Sequence, residues 1–166
     1  MFTTDNLKEA FAGESQANRR YTAFARKADK EGLPQVARLF RAAAEAETVH
    51  ALSHLRVLGG VKSTAENLEE SVAGEAFEFQ SMYPKFVAEA HAEGNKAAEM
   101  SCANAMAVEK MHHDLYQEAL AVVQAGIDLP AATIHVCDIC GTTIVGDAPD
   151  ECPVCTAKKE HFFEVK

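Results

Sequence analysis

The sequence has no tryptophan, few aromatic residues (7%) and only five prolines among its 166 residues. It also lacks any apolar run close to the length of about eighteen residues that a membrane-spanning helix needs. Its N-terminus does not combine a basic segment with an apolar one, as a secretion signal would. Basic residues are outnumbered, since 16 Lys and Arg face 25 Asp and Glu for a net charge of -9. We therefore expect a soluble, cytoplasmic protein that binds neither nucleic acid nor a membrane.

Four long helical segments, bounded by capping residues, glycines and prolines, precede residue 130. We predict them at about residues 5–30, 34–58, 64–92 and 95–125. Thr3 or Thr4 is expected to cap the first helix, and Gly32 and Pro34 separate it from the second. Because 48% of the residues are apolar, the chain can bury a sizeable core. The sequence thus predicts an all-α four-helix bundle within residues 1–130.

The helical part of the sequence contains one helical hairpin twice. Glu14 matches Glu75 at an offset of 61 residues, and the motif Glu47-x-x-His50 matches Glu109-x-x-His112 at an offset of 62. Duplication of a hairpin places equivalent residues about a pseudo-twofold axis. We therefore expect two metal ions with nearly equivalent sets of ligands.

The two Glu-x-x-His motifs are predicted to bind metal. A separation of three residues puts a carboxylate and an imidazole side by side on one face of a helix. A dinuclear site in a helical bundle also needs one glutamate from each of the two remaining helices, and Glu14 and Glu75 meet this need. Carboxylate-rich sites with two imidazoles and no thiolate favour iron or manganese over zinc.

The offset grows by one between Glu75 and Tyr83, so the second copy holds an extra residue within a helix. A single inserted residue is usually accommodated as a π-bulge, and such bulges are frequent at functional sites. We hypothesise that Glu78, in this stretch, is an additional ligand. Tyr83 and its counterpart Tyr21 could direct their phenols at the metals or pack in the core. His113 is expected to be exposed, because it points away from the neighbouring motif.

The last thirty or so residues differ in character, because they hold two Cys-x-x-Cys pairs. Two such turns bring four thiolates together in a tetrahedral site that suits iron or zinc. Residues 134–166 are too few for a stable core, so the metal should supply much of the folding energy. Short β segments are predicted at 133–136 and 161–165. The four predicted ligands are Cys137, Cys140, Cys152 and Cys155.

These motifs together resemble the rubrerythrin family over essentially the whole chain. The resemblance is carried by Gly13-Glu14-Ser15-Gln16-Ala17, Glu47-x-x-His50, Gly74-Glu75-x-x-Glu78, Met82-Tyr83-Pro84, Glu109-x-x-His112, the two cysteine pairs and His161-Phe162-Phe163-Glu164. It implies a ferritin-like diiron bundle in residues 1–130 and a rubredoxin-like domain in residues 134–166. It further implies two carboxylate-bridged irons, with Glu47 and Glu109 as bridges, and the ligands Glu14, Glu47, His50, Glu75, Glu78, Glu109 and His112.

The resemblance also implies an activity. Members of the family reduce hydrogen peroxide to water with electrons that enter through the four-cysteine iron, in protection against oxidative stress. The electrons would come from a separate NADH-linked reductase or a rubredoxin. One iron would exchange His50 for Glu78 with redox state, and Tyr21 and Tyr83 would lie near the site. A homodimer is expected, with the four-cysteine module of one subunit beside the diiron site of the other.

Three other interpretations remain open from the sequence. Oxygen could replace peroxide as the acceptor. A ferroxidase or iron-storage protein would use the same bundle, but it has no evident use for a four-cysteine electron inlet. A zinc ribbon on a helical scaffold would leave the duplicated ligand set unexplained, although zinc itself fits the four cysteines.

Overall fold

The computed structural model describes residues 2–166, which form long helices followed by a small module of short strands. The helices are α1 (Phe2–Lys30), α2 (Pro34–Val57), α3 (Thr64–Phe77), a π-helical turn (Glu78–Met82), α4 (Tyr83–Ala92) and α5 (Lys96–Gln124). The strands are β1 (Ile134–Cys137), β2 (Thr143–Val145) and β3 (Phe162–Glu164). The predicted fold class, a helical protein with a C-terminal four-cysteine strand module, is confirmed. Among the helices of residues 2–166, none has the length and apolar character to cross a membrane.

The chain divides into two compact units, of which the first ends at Lys62. It is a hairpin of α1 and α2, whose turn contains Gly32 at a φ of +73°. That left-handed conformation is accessible to glycine at little cost, and it lets the Leu33 N–H bond the Ala28 carbonyl at 2.9 Å. Small side chains let the two helices approach closely, and the buried ones are Ala17, Ala25, Ala28, Ala37, Ala44 and Ala51.

The second unit spans Ser63–Lys166 and begins with the second hairpin. The Ser63 side chain and that of Glu66 form a reciprocal capping box at the start of α3. The helical stretch continues through the π-helical turn into α4, and it packs against α5 after a turn at Gly94, whose φ is +70°. Asn95 caps α5 by accepting a hydrogen bond from the Ala98 N–H at 3.2 Å.

The helix boundaries agree with the predicted ones to within a few residues, with one exception. Because α1 already begins at Phe2, Thr3 and Thr4 lie inside the helix, and their predicted role as a cap is wrong. The predicted π-bulge is confirmed: the residue inserted before Tyr83 is accommodated in the five-residue turn Glu78–Met82.

The C-terminal module is a three-stranded antiparallel sheet in the order β2-β1-β3. Val136 in the central strand pairs with Thr143 on one side and with Phe163 on the other. The strands β1 and β3 match the segments predicted at 133–136 and 161–165. The short strand β2 was not predicted, because three residues give no measurable alternation.

Candidate metal centres

The first hairpin brings three predicted ligands together. Glu14 on α1 and Glu47 and His50 on α2 each offer one ligand atom, and these atoms lie within 4.8 Å of one another. His50 Nδ1 is 2.9 Å from Glu47 Oε2. The Glu47 side chain is 17% exposed and that of His50 is 56% exposed. Two carboxylates and one imidazole nitrogen thus converge at one point on the hairpin.

A buried amide fixes the spacing of the two helices next to this cluster. Asn18, one turn after Glu14, is 8% exposed and donates from Nδ2 to the Ala44 carbonyl at 2.7 Å and to Thr48 Oγ1 at 2.8 Å. Because Thr48 directly follows Glu47, these bonds tie together the turns of α1 and α2 that carry the predicted ligands. A buried side chain with its partners satisfied holds such a spacing rigidly.

The second hairpin repeats the arrangement with Glu75 on α3 and Glu109 and His112 on α5, again with ligand atoms within 4.8 Å. His112 Nδ1 lies 2.8 Å from Glu109 Oε2 and 3.9 Å from Glu75 Oε1. Burial and the neighbouring Glu109 carboxylate raise the pKa of Glu75 from 4.5 to about 7. The metal-free cluster therefore holds a proton near neutral pH. A bound cation would instead remove the repulsion between the carboxylates. This set of donors fits iron.

Glu78 lies at the start of the π-helical turn and is half-buried. Burial, and next the charge of Glu109, raise the pKa of its carboxyl group, whereas His112 lowers it. The three ligand atoms that lie within 4.8 Å of one another belong to Glu75, Glu109 and His112, and do not include Glu78. Its role as an additional ligand stays a prediction.

The two tyrosines have different surroundings. Burial, and next the carboxylates of Glu109 and Glu78, raise the pKa of the Tyr83 phenol, which therefore keeps its proton beside the second cluster. The Tyr21 ring packs against Phe24 and Phe40, with ring centroids 6.3 Å away in both cases. A role of either phenol at the metals stays a prediction.

His113 is not exposed, contrary to the prediction. Its side chain is 15% exposed, and its ring meets the Phe79 ring edge to face at a centroid distance of 5.4 Å. The prediction was wrong because the π-helical turn covers the side of α5 on which His113 lies.

The four cysteines converge in the C-terminal module, with their sulfurs within 4.8 Å of one another. Two matching turns present them: the Gly141 N–H bonds the Cys137 carbonyl at 2.9 Å, and the Thr156 N–H bonds the Cys152 carbonyl at 3.0 Å. Cys137 and Cys152 are each 1% exposed. Such paired turns produce a tetrahedral arrangement of thiolates.

The thiols of this cluster differ in acidity. Burial and the adjacent cysteines raise the pKa of Cys155 to about 12. Burial also acts on Cys152, but the Cys155 N–H and the Thr142 hydroxyl outweigh it and lower its pKa to about 6. Thr142 is fully buried, and its hydroxyl oxygen is 3.1 Å from Cys140 Sγ and 3.3 Å from Cys152 Sγ. One thiolate thus forms readily, and a cation would stabilise the others as thiolates.

One hydrogen bond joins the four-cysteine module to the second carboxylate cluster. His112 Nε2 lies 3.0 Å from Thr143 Oγ1, at the start of β2. Thr143 could not be predicted from the sequence, because its contact spans 31 residues and depends on how the module packs on α5. The available signal was indirect: a metal-binding imidazole usually bonds a second group through its other nitrogen.

Helical Glu-x-x-His clusters combined with a four-cysteine strand module define a class of non-haem iron proteins. Residues 5–120 match the family model described as Rubrerythrin, and residues 135–163 match the model described as the rubredoxin-like domain of rubrerythrin. The chain belongs to the rubrerythrin family. As a member of this family, it has a diiron carboxylate site and a rubredoxin-like four-cysteine site, for which the Glu/His clusters and the four cysteines supply the ligand atoms.

Individual relatives resemble the chain over most of its length. It is 31% identical to Rubrerythrin-2 of Clostridium acetobutylicum, over 96% of this chain and 95% of the relative. It is 36% identical to nigerythrin of Nitratidesulfovibrio vulgaris, over 96% of this chain and 85% of the relative. Among solved structures, the fully reduced, all-ferrous state of nigerythrin matches with a TM-score of 0.59 at 33% identity, over 98% of this chain and 86% of that one.

Proposed function

We propose that the protein is a peroxidase that reduces hydrogen peroxide to water, using electrons that enter through the four-cysteine iron. Family membership supports an iron-dependent oxidoreductase. The observation that carries the proposal further is the hydrogen bond between His112 Nε2 and Thr143 Oγ1. It places a strand of the four-cysteine module against a candidate metal-binding cluster, an arrangement that suits an electron inlet.

The proposed ligands are the residues of the three clusters. We assign the diiron pair to Glu14, Glu47, His50, Glu75, Glu78, Glu109 and His112, and the single iron to Cys137, Cys140, Cys152 and Cys155. When bound, the two irons supply the two electrons that cleavage of the oxygen–oxygen bond consumes. Two protons complete the conversion of one peroxide into two waters.

The chain's own residues position the reactants and hold protons. The carboxylates of Glu75 and Glu109 and His112 Nδ1 orient toward one point, which leaves little rearrangement on metal binding. Tyr83 retains its phenolic proton beside this cluster, because burial and the nearby carboxylates disfavour its ionisation. We assign it to hydrogen bonding with bound peroxide or with a ligand carboxylate, and assign its counterpart Tyr21 to the same role at the first cluster.

The proposal includes partners and a setting. A separate NADH-linked reductase or a rubredoxin would supply electrons to the four-cysteine iron. A homodimer and a cytoplasmic role in oxidative stress protection complete the proposal. An iron-storage function is disfavoured, because a protein that oxidises incoming iron needs no inlet for electrons.

Paired variants test the assignment. Under anaerobic conditions with a chemical reductant, Glu109→Gln and Glu47→Gln should lower the rate of peroxide removal by at least about a hundredfold, since even outer partners of a metal contribute up to that much. The matched controls Glu118→Gln and Glu45→Gln alter exposed glutamates of the same helices and should retain the full rate. Equal rates in ligand and control variants would contradict the proposed site.

A further inference from the structure

Both ring nitrogens of His112 have a defined partner. Nδ1 faces the carboxylates, 2.8 Å from Glu109 Oε2, whereas Nε2 lies 3.0 Å from Thr143 Oγ1. The His112 side chain is 27% exposed, so these contacts lie in a largely covered position. The two faces of one ring therefore connect a strand of the four-cysteine module to a metal-binding cluster.

The direction of the hydrogen bond between His112 Nε2 and Thr143 Oγ1 follows from the donors available at this position. The Thr143 hydroxyl has a single proton, and it donates this proton to the Gly141 carbonyl at 3.2 Å. A carbonyl can only accept, so the lone pairs of Thr143 Oγ1 remain to accept a hydrogen bond from His112 Nε2–H. A neutral imidazole protonated at Nε2 has its lone pair on Nδ1. That is the nitrogen that faces Glu75 and Glu109, and a bound metal would take the place of the proton that the 2.8 Å contact with Glu109 Oε2 requires in the metal-free protein.

We propose that Thr143 is a positioning residue that holds His112 with Nε2 protonated and the Nδ1 lone pair directed at the metal. The inference rests on the proposed function only in taking Glu75, Glu109 and His112 as a metal site. Thr143, whose hydroxyl accepts the bond, begins β2 three residues after Cys140, so it directly follows the turn that presents a cysteine ligand. The four-cysteine module thereby helps to form the neighbouring carboxylate site.

The apolar side chains around the bond offer His112 Nε2–H no other acceptor, so loss of the Thr143 hydroxyl should be costly. A groove of about 810 Å³ runs between α5 and the module beside His112, and side chains such as Leu115, Ala119 and Val122 line it with apolar surface. In Thr143→Val the added methyl would occupy the position of the hydroxyl, leaving Nε2–H facing a hydrocarbon group. Outer partners of this kind are worth about 10- to 100-fold in metal affinity.

The first hairpin supplies an internal control. His50 Nδ1 contacts Glu47 just as His112 Nδ1 contacts Glu109. The His50 side chain is 56% exposed, however, so water can reach its ring. Changes at Thr143 should therefore act first on the metal held by His112, and only through a bridging carboxylate on the metal held by His50.

The test is an anaerobic titration of the full chain with Co²⁺, after zinc has filled the four-cysteine site. Thr143→Val should weaken the cobalt site that contains His112 about 10- to 100-fold and weaken the site that contains His50 less. Thr143→Ser, which keeps the hydroxyl, should bind like the unsubstituted chain. Thr133→Val is the matched control, because it makes the same substitution at an exposed position directly before β1 of the module.

A second measurement detects the bond itself, independently of affinity. In fully zinc-loaded protein, nitrogen-correlated NMR should show a His112 Nε2–H proton that exchanges slowly with water. The signal should persist in Thr143→Ser and be lost through rapid exchange in Thr143→Val.

The outcomes separate the inference from the function on which it rests. If the unsubstituted chain binds no cobalt at the His112 cluster, the proposed function fails, and the inference with it. If it binds cobalt, and Thr143→Val does so equally with an unchanged Nε2–H signal, the positioning role alone is wrong. Equal weakening in the serine and valine variants would show a purely structural role and would also overturn the inference.

Discussion

Glu75 stabilises the metal-free fold only while it is protonated. Its pKa is 4.5 without the influence of the fold and about 7 in the folded, metal-free protein, through burial and the Glu109 carboxylate. A raised pKa means that the folded state binds the proton more tightly. The stabilising contribution is complete below about pH 4.5 and is lost as the pH rises to about 7.

The first prediction concerns this pH window. In metal-free protein, the free energy of unfolding measured with urea should contain a component that decreases between about pH 4.5 and 7. Glu75→Gln should remove most of that component, because glutamine stays neutral throughout. Glu118→Gln, at an exposed position, should retain it. An unchanged pH profile in Glu75→Gln would show that the proton resides elsewhere.

The second prediction concerns backbone strain in one cysteine turn. Thr156 has a φ of 60°, and Gly141 occupies the equivalent place in the other turn at 87°. A β-branched residue in this region costs about 1–3 kcal/mol, partly offset by the entropy that glycine loses on folding. Thr156→Gly should therefore stabilise the metal-loaded module by about 1 kcal/mol in thermal unfolding.

The opposite substitution provides the control for that prediction. Gly141→Ala should destabilise the module, because alanine disfavours the left-handed conformation. A lower unfolding temperature for Thr156→Gly would contradict the account of strain.

The members of the candidate metal clusters could be predicted from sequence because each hairpin presents them at helical spacing. Glu47 and His50 lie one turn from each other on α2, so a local pattern was enough to bring them together. Thr143 could not be found in this way. Its partner His112 is 31 residues away, and the contact depends on the packing of the module against α5.

At the level of elements, the duplication made an irregular helix predictable. The change of offset between Glu75 and Tyr83 located an extra residue, and the structure places a π-helical turn at Glu78–Met82. The strand β2 could not be predicted from the sequence, because three residues are too few to show a recognisable period. The predicted cap of α1 failed because helix ends are the least certain part of a sequence prediction.

The third prediction tests the π-helical turn. Deleting the exposed Gln80 should restore regular α-helix and rotate Glu78 away from its present position. Peroxide removal should then fall by about a hundredfold, as a displacement of about 1 Å at a reaction centre can cause. Gln80→Ala, which keeps the residue count, should retain the rate. Normal activity in the deletion variant, with helix content confirmed by circular dichroism, would show that the turn has no function.

For the molecule as a whole, negative charge leads us to expect a stability that depends on bound metal. The chain carries a net charge of -9, and each hairpin gathers carboxylates at one point. Bound cations offset both this repulsion and the cost of removing carboxylates from water.

The fourth prediction is that metal removal lowers stability. Protein treated with a chelator should unfold at a lower temperature than metal-loaded protein, because a ligand bound only by the folded state stabilises it by about 2.7 kcal/mol at 100 times its dissociation constant. Reloading with iron should restore the original value. Equal unfolding temperatures with and without metal would contradict the prediction.

In the proposed function, the diiron site consumes peroxide and draws its electrons from the four-cysteine iron. The most direct test mixes anaerobically reduced protein rapidly with hydrogen peroxide, with oxygen in a parallel run, and follows the visible ferric-thiolate absorption of the four-cysteine site. We expect the colour to return fast with peroxide and slowly with oxygen. No return with peroxide, in protein whose four-cysteine site is loaded with iron, would contradict the claim.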